Sequence, residues 1–494
     1  MEGTRTLSPF QKFIANISWT VIGKIVVQVL LFAISILLTR YLGKKSLGDY
    51  ATLLVIPVFI RLLNSFGLET LINAKLPALN VRNSSGAEGR YLIGRLLAFR
   101  FITTVLFCFL IYYCLPYYLH LINRPEFIQF RWALIFYFVA ITFDSILSTL
   151  FMTLLRYKEL VKIEVLGAVL NLALLIVFIN LDYGIDGILY AYTFSLFVTS
   201  FLYLILSRNQ YLGLTEVPNC NDMKQLAWVS YGITFLSFGL MAQSDIVMMN
   251  FFEVNGEDIG LYYLSTGLTG TMVFLLAGVA PMALSLFSEI FEKEGFKGLA
   301  SLYCKIAGFS SYLTIPIYVF CIFNADILIS FIYGSSFKDA SLALIIFAAF
   351  SGIQAALGNN FSISILYVIN KRGKAIRTTI EGGILNIGLN VVLIPALGML
   401  GAITATGITM VYMVLRQLKI ISSEMPIAPI FPVIGRCFLY CLLASMFPLI
   451  LTWIHSGHLI TNLILYLVIL STILFLIKPF NQLGPIFNQT SSLR

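Results

Sequence analysis

Five polar side chains in the first hundred residues stand inside apolar runs and could together hold an anion: Lys24, Gln28, Arg61, Asn64 and Arg100. Arg61 is the clearest of them. In the stretch "PVFIRLLNSFGL" (57–68) it lies 12 residues after Asp49 and 8 before Glu69. At about 1.5 Å per helical residue, that is roughly 12–18 Å from either charged flank, near the middle of a hydrocarbon layer about 30 Å thick. A cation at that depth costs at least about 2.5–3.5 kcal/mol, so it marks either a function or a fixed partner. Arginine and lysine at low dielectric bind phosphate strongly, and arginine can do so with both arms of its fork. The competing readings are a structural salt bridge, with Asp144 as a partner for Arg61, and snorkelling of Arg100 towards an interface.

The carboxylates at similar depth are Asp144 and Asp245. A carboxyl group held away from water can exchange a proton or hold Na+, so both are candidate ion-coupling sites, with fixed counter-ions as the alternative. Glu381 follows Arg377 by one helical turn and reads as its partner. No nucleophile, paired-carboxylate or metal-ligand spacing is present, and no catalytic residue or cofactor is expected beyond possible H+ or Na+ coupling. The seven cysteines read as small apolar fillers and the three histidines as interfacial.

These side chains must be carried by membrane helices. Of the 494 residues 59% are hydrophobic and 11% charged, and mean hydropathy is +0.91. Runs of about 20 apolar residues recur from end to end, giving an all-α polytopic membrane protein of about fourteen spans. The first is expected at 14–39, the second at 50–74, the fifth at 160–181, the tenth at 341–368 and the last at 459–477. Pro57 is expected to kink the second. No cleavable signal peptide is expected before the first. The loops on the N-terminal side hold 19 of the lysines and arginines, against 6 on the other side. That bias places both termini in the cytoplasm of a multi-pass protein of the cell (inner or plasma) membrane. The net charge of +9 is then topological and does not point to nucleic acid.

The chain repeats itself. "NLALLIVFINLDYGIDGILYA" from Asn171 matches "NIGLNVVLIPALGMLGAITA" from Asn386, 215 residues on, and "SLGDY" (46–50) echoes "DIGLY" (258–262) at an offset of 212. The expected organisation is a six-helix bundle over 1–207, a cytoplasmic linker over 208–225, a second six-helix bundle over 226–421, and two extra helices with a tail over 422–494. An even number of spans per repeat gives the bundles a common orientation and a pseudo-two-fold axis along the membrane normal.

"LLTRYLGKKSLGDYATL" (37–53), "LISFIYGSSFKDASLALIIFA" (328–348) and "GILNIGLNVVLIPALGMLGAITAT" (383–406) resemble the polysaccharide or O-antigen repeat-unit flippases, oligosaccharidyl-lipid exporters of the multidrug/oligosaccharidyl-lipid/polysaccharide exporter superfamily. The resemblance implies two bundles in a V, and a substrate of undecaprenyl pyrophosphate carrying a glycan, moved from the cytoplasmic to the outer leaflet by alternating access. It implies basic residues on the pyrophosphate, for which Lys24 and Arg61 fit best. It further implies membrane lipids, a polysaccharide polymerase and chain-length proteins as partners. The last two spans are shared with lipid II flippases, where they form part of a groove for the lipid tail. Two other readings stand beside it: a cation-coupled multidrug or metabolite antiporter of the same superfamily, and a membrane polymerase or ligase of lipid-linked glycans.

Overall fold

The computed structural model describes residues 9–82, 86–214, 216–217, 227–232, 235, 244–277, 280–454 and 459–477. Half of the expected linker, the expected seventh-span residues Thr234, Ser237 and Met241, and the ends at 1–8 and 478–494 lie outside them. The described residues are almost wholly helical. Nine of their helices are long and apolar enough to cross a membrane. The chain forms two compact units, Met1–Gly260 and Leu261–Arg494. This boundary lies beyond the 208–225 connector.

In the first unit the helices are α1 (Pro9–Leu63), α2 (Leu68–Arg82), α3 (Ala87–Leu121), α4 (Arg131–Thr153), α5 (Tyr157–Asn180), α6 (Gly184–Leu206) and α7 (Ser244–Phe251). The apolar part of α1, Gly23–Leu63, is 41 residues long. At about 1.5 Å per residue that is twice a hydrocarbon layer. Gly43, at φ 72° and ψ 177°, interrupts it, and the arms 9–42 and 44–63 correspond to the first span and the start of the second. No residue but Gly43 departs from helical geometry in α1, so Pro57 does not break it.

The second span, expected to be continuous over 50–74, is instead broken. Helix α1 ends at Leu63 and α2 begins at Leu68, with Phe66 at φ 46° and Gly67 at φ 69° between them. A break inside a span frees backbone groups that lipid cannot satisfy. Here the Tyr231 hydroxyl donates to the Leu63 carbonyl at 3.1 Å, and the Arg100 guanidinium donates to the Asn64 carbonyl. Phe66 stacks on Tyr231 with ring centroids 5.5 Å apart, and Phe99 meets it edge-on. Leu71 and Ile72 of α2, Leu92 and Ile93 of α3, and Ile146 and Leu150 of α4 bury one another and fix α2 in place.

The second unit holds α8 (Gly256–Ala277, which starts in the first), α9 (Ala280–Phe323), α10 (Ala325–Ile332), α11 (Ala340–Ala356), α12 (Asn359–Val368), α13 (Arg372–Leu397), α14 (Met399–Ser422), α15 (Ile430–Ile454) and α16 (Leu459–Ile477). The tenth span is also broken. Gly358, at φ 74°, separates α11 from α12, and Ser311 donates to the freed carbonyl of Ala356 at 3.0 Å. The hairpins matched by the sequence repeat share a glycine at positive φ but differ in length: residues 181–183 join α5 to α6, and Gly398 alone joins α13 to α14. Gly184 (φ 59°) leads α6, Gly398 (φ 55°) leads α14, and the paired asparagines Asn171 and Asn386 are both buried. Helix α16 docks through Asn462, which donates to Asn324 at 2.9 Å, and through Tyr466, whose hydroxyl meets the Pro316 carbonyl at 3.0 Å.

Candidate functional site

The structure sorts the polar residues of the first unit into two neighbouring groups. The first surrounds the break in the second span. Arg100 of α3 is fully buried, and besides the Asn64 carbonyl it pairs with Glu69 of α2 at 2.5 Å. Glu69 also accepts from Ser145 of α4 at 3.3 Å, and Ser145 accepts from Arg61 Nη1 at 3.1 Å. Asn64 donates to Thr104 of α3 at 3.1 Å. The polar atoms Arg61 Nε, Asn64 Oδ1, Ser65 Oγ and Arg100 Nε are buried there without a hydrogen-bond partner among the described residues.

The second group is built on α1, α4, α5 and α6. Gly23 allows α5 close to α1, since a Cβ on it would lie 1.9 Å from Val161 Cγ1. The next residue, Lys24, then reaches Glu164 of α5, with Nζ 2.6 Å from Oε1. Thr199 of α6 donates to Asp144 of α4 at 2.6 Å. Asp144 lies within electrostatic reach of both Glu164 and Lys24. Gln28 stands half-buried one turn after Lys24, and Asp245 is buried in the first turn of the separate helix α7.

The two groups meet on consecutive residues of α4. Asp144 faces the second group and Ser145 the first. Their charge balance differs in sign: Arg61 and Arg100 stand against Glu69, while Glu164 and Asp144 stand against Lys24. Arg100 and Lys24 each have a carboxylate within ion-pair distance, whereas Arg61 has none among the described residues. Arg61 bonds instead to the neutral Ser145 hydroxyl.

The carboxylates expected at depth, Asp144 and Asp245, do not include Glu69 and Glu164. Both fall near the ends of their expected spans, where a carboxylate reads as interfacial. Glu69 lies in the first turn of α2, just after the break at 64–67. Glu164 could have been found from its place one turn into a span that also carries Gly167 and Asn171. In the second unit Glu381 accepts from Arg377 at 2.9 Å, as its spacing suggested, and also from Arg416 and Tyr412 of α14.

A family model described as "Polysaccharide biosynthesis protein" matches residues 37–342. A curated relative, the "Probable low-salt glycan biosynthesis flippase Agl15" of Haloferax volcanii, is 25% identical over 196 residues. That match spans 39% of this chain and 40% of the relative's length. Among solved structures, a lipid II flippase, MurJ, in an inward closed conformation superposes with a TM-score of 0.71. The superposition covers 92% of this chain and 98% of that one at 15% identity. A multidrug resistance MATE family transporter of the MOP superfamily, in an inward-facing conformation, gives a TM-score of 0.68 at 17% identity, over 80% and 95% of the two chains.

Proposed function

Because the chain belongs to the polysaccharide biosynthesis protein family, we propose that this multi-pass membrane protein is a flippase for a polyprenyl-pyrophosphate-linked oligosaccharide, an O-antigen unit or another surface-polysaccharide repeat. It carries the head group from the cytoplasmic to the outer leaflet of the cell membrane by alternating access. The names of the Haloferax relative and of the lipid II flippase support a lipid-linked glycan as cargo.

The observation that carries this reading is Arg61. A diphosphate bearing sugars cannot cross hydrocarbon without a replacement for its lost hydration. Arg61 offers a guanidinium with no carboxylate partner among the described residues, held by a hydrogen bond to Ser145 and beside a helix break lined with polar atoms that lack partners among those residues. It takes the pyrophosphate, with Asn64 and Ser65 at the break as neutral partners. Arg100 supports the break from behind. Lys24 and Gln28 form the neighbouring edge of the site, and Asp144 and Asp245 remain the candidates for ion coupling.

The test is export in cells that depend on this protein for a surface glycan. Arg61→Ala should abolish export and leave lipid-linked glycan in the inner leaflet, while Arg61→Lys retains part of it. Equal export by the two variants would show that the cation is not needed. A multidrug antiporter would instead move cationic dyes and leave the lipid-linked glycan pool unchanged.

A further inference from the structure

We propose that the seam between α9 and α15 holds the phosphate of an anionic glycerophospholipid of the cytoplasmic leaflet, with Arg436 and Lys305 as its cations and the hydroxyls of Tyr312 and Tyr440 as neutral donors. The site lies wholly in the second unit and does not depend on the flippase reading.

The two cations stand inside helices of membrane character. Lys305 lies ten residues after the kink of α9 at Gly295 (φ 65°), and Arg436 six residues after the start of α15. At about 1.5 Å per residue Arg436 is roughly 9 Å inside its helix, a depth from which a long side chain reaches the headgroup level. Neither the arm 296–323 of α9 nor α15 contains an aspartate or glutamate. Arg436 is exposed and donates Nε to the Pro432 carbonyl one turn back at 3.3 Å, and Lys305 is half-buried. Among the described residues neither has a carboxylate within ion-pair distance.

The register of the two helices brings these residues together. Cys304 Sγ lies 3.9 Å from the Ile427 carbonyl oxygen, a Cβ on Gly308 would lie 3.2 Å from Val433 Cγ1, and Cys437 donates to the Ser311 carbonyl at 3.5 Å. Residue numbers rise together along this contact, so the two helices run in the same direction. Lys305 and Tyr312 each follow a contact residue by one position, and Arg436 precedes one, with Tyr440 a turn further on. In right-handed helices running side by side, one step forward on the first and one step back on the second turn to the same side of the seam. Tyr312 accordingly lies within electrostatic reach of both Arg436 and Tyr440.

Along α15 the order inward is Arg436, Tyr440 and Leu443, which is cation, hydroxyl and exposed apolar surface. That is the order of groups in a phospholipid from head to chain. Phe309, exposed one turn after Lys305, adds apolar surface on α9. Basic pockets between membrane helices on the cytoplasmic side suit anionic heads. A zwitterionic head brings its own ammonium, which two unopposed cations repel. An anionic head brings none.

The test uses the purified full chain in neutral detergent. Phosphatidylglycerol and phosphatidylcholine are supplied in mixed micelles, and bound lipid is counted by mass spectrometry of the intact complex. Wild type should prefer phosphatidylglycerol. A cation near a headgroup contributes about fivefold, so Arg436→Gln and Lys305→Gln should each lower the preference about fivefold, and together roughly thirtyfold. Arg436→Lys should keep most of it. Removing two cations of α13 instead, with Lys374→Gln and Arg377→Gln, should leave it at the wild-type value. Arg436 is exposed, so Arg436→Gln leaves no cavity, and it decides the matter by itself if Lys305→Gln fails to fold. No preference in wild type, a preference that the α9 and α15 variants retain, or an equal loss in the α13 control would each overturn the proposal. So would displacement of phosphatidylglycerol by an equal concentration of undecaprenyl pyrophosphate, which would assign the seam to a polyprenyl head group instead.

Discussion

Arg100 donates one guanidinium nitrogen to the backbone carbonyl of Asn64 and another to the carboxylate of Glu69, and in doing so ties both ends of a broken helix to its neighbour α3. A side chain expected to touch substrate is thus occupied with the fold. Its removal takes the donor from a buried carbonyl and leaves the Glu69 carboxylate with only its bond from Ser145, which costs up to about 3–5 kcal/mol. Arg100→Met should lower the thermal midpoint and the yield of monodisperse protein in detergent. Arg100→Met combined with Glu69→Met should regain part of the loss, because the buried charge goes with its partner. A double variant no better than Arg100→Met would show that the ion pair is not what the break depends on.

Gly48 and Gly260, aligned by the sequence repeat at an offset of 212, lie backbone to backbone in the first unit. A Cβ on Gly48 would sit 1.9 Å from the Gly256 carbonyl oxygen, and one on Gly260 would sit 2.2 Å from that of Lys44. Neither obstacle is a side chain that can swing away, so Gly48→Ala and Gly260→Ala should each destabilise by at least about 1–3 kcal/mol. Thermal unfolding of the purified variants measures this. An unchanged midpoint for Gly48→Ala would show that the helices separate freely there.

The all-helical, membrane-spanning character of the chain was legible in the sequence. Apolar runs of membrane length announce helices directly, and the repeated Gly-x-x-Gly turns return as Gly184 and Gly398 at positive φ. The breaks at 64–67 and at Gly358 were not legible. Both fall inside apolar runs, and what sustains them is distant in sequence: Tyr231 and Arg100 for one, Ser311 for the other. The same reason hid the division of labour among the cations. Lys24, Arg61 and Arg100 look alike in the sequence, and only the positions of Glu164 and Glu69 separate the paired ones from Arg61.

In the second unit Asn462 and Asn324 are both buried and bonded to each other at 2.9 Å, where they attach α16. Asn462→Ala leaves the Asn324 amide without that partner and should cost about 1–3 kcal/mol. Protease sensitivity of the C-terminal helix should rise with it. Resistance equal to wild type would mean that the apolar contacts around Tyr466 and Leu470 hold the helix by themselves.

Glu381 offers a contrast. It accepts from Arg377, Arg416 and Tyr412, yet Arg377 is largely exposed, and exposed pairs contribute little. Glu381→Gln should leave both thermal midpoint and glycan export at wild-type levels. A large loss of export with unchanged stability would assign Glu381 a part in transport.

Reconstituted flipping reads whether Arg61 holds the phosphate of a lipid-linked glycan. Protein in liposomes carrying a polyprenyl-pyrophosphate-linked oligosaccharide should move the head group across the bilayer. Arg61→Ala should slow this by about ten- to hundredfold, the worth of a lost charged hydrogen bond, with Arg61→Lys in between. Head-group flipping by Arg61→Ala at the wild-type rate, in protein shown to be folded, would contradict that role.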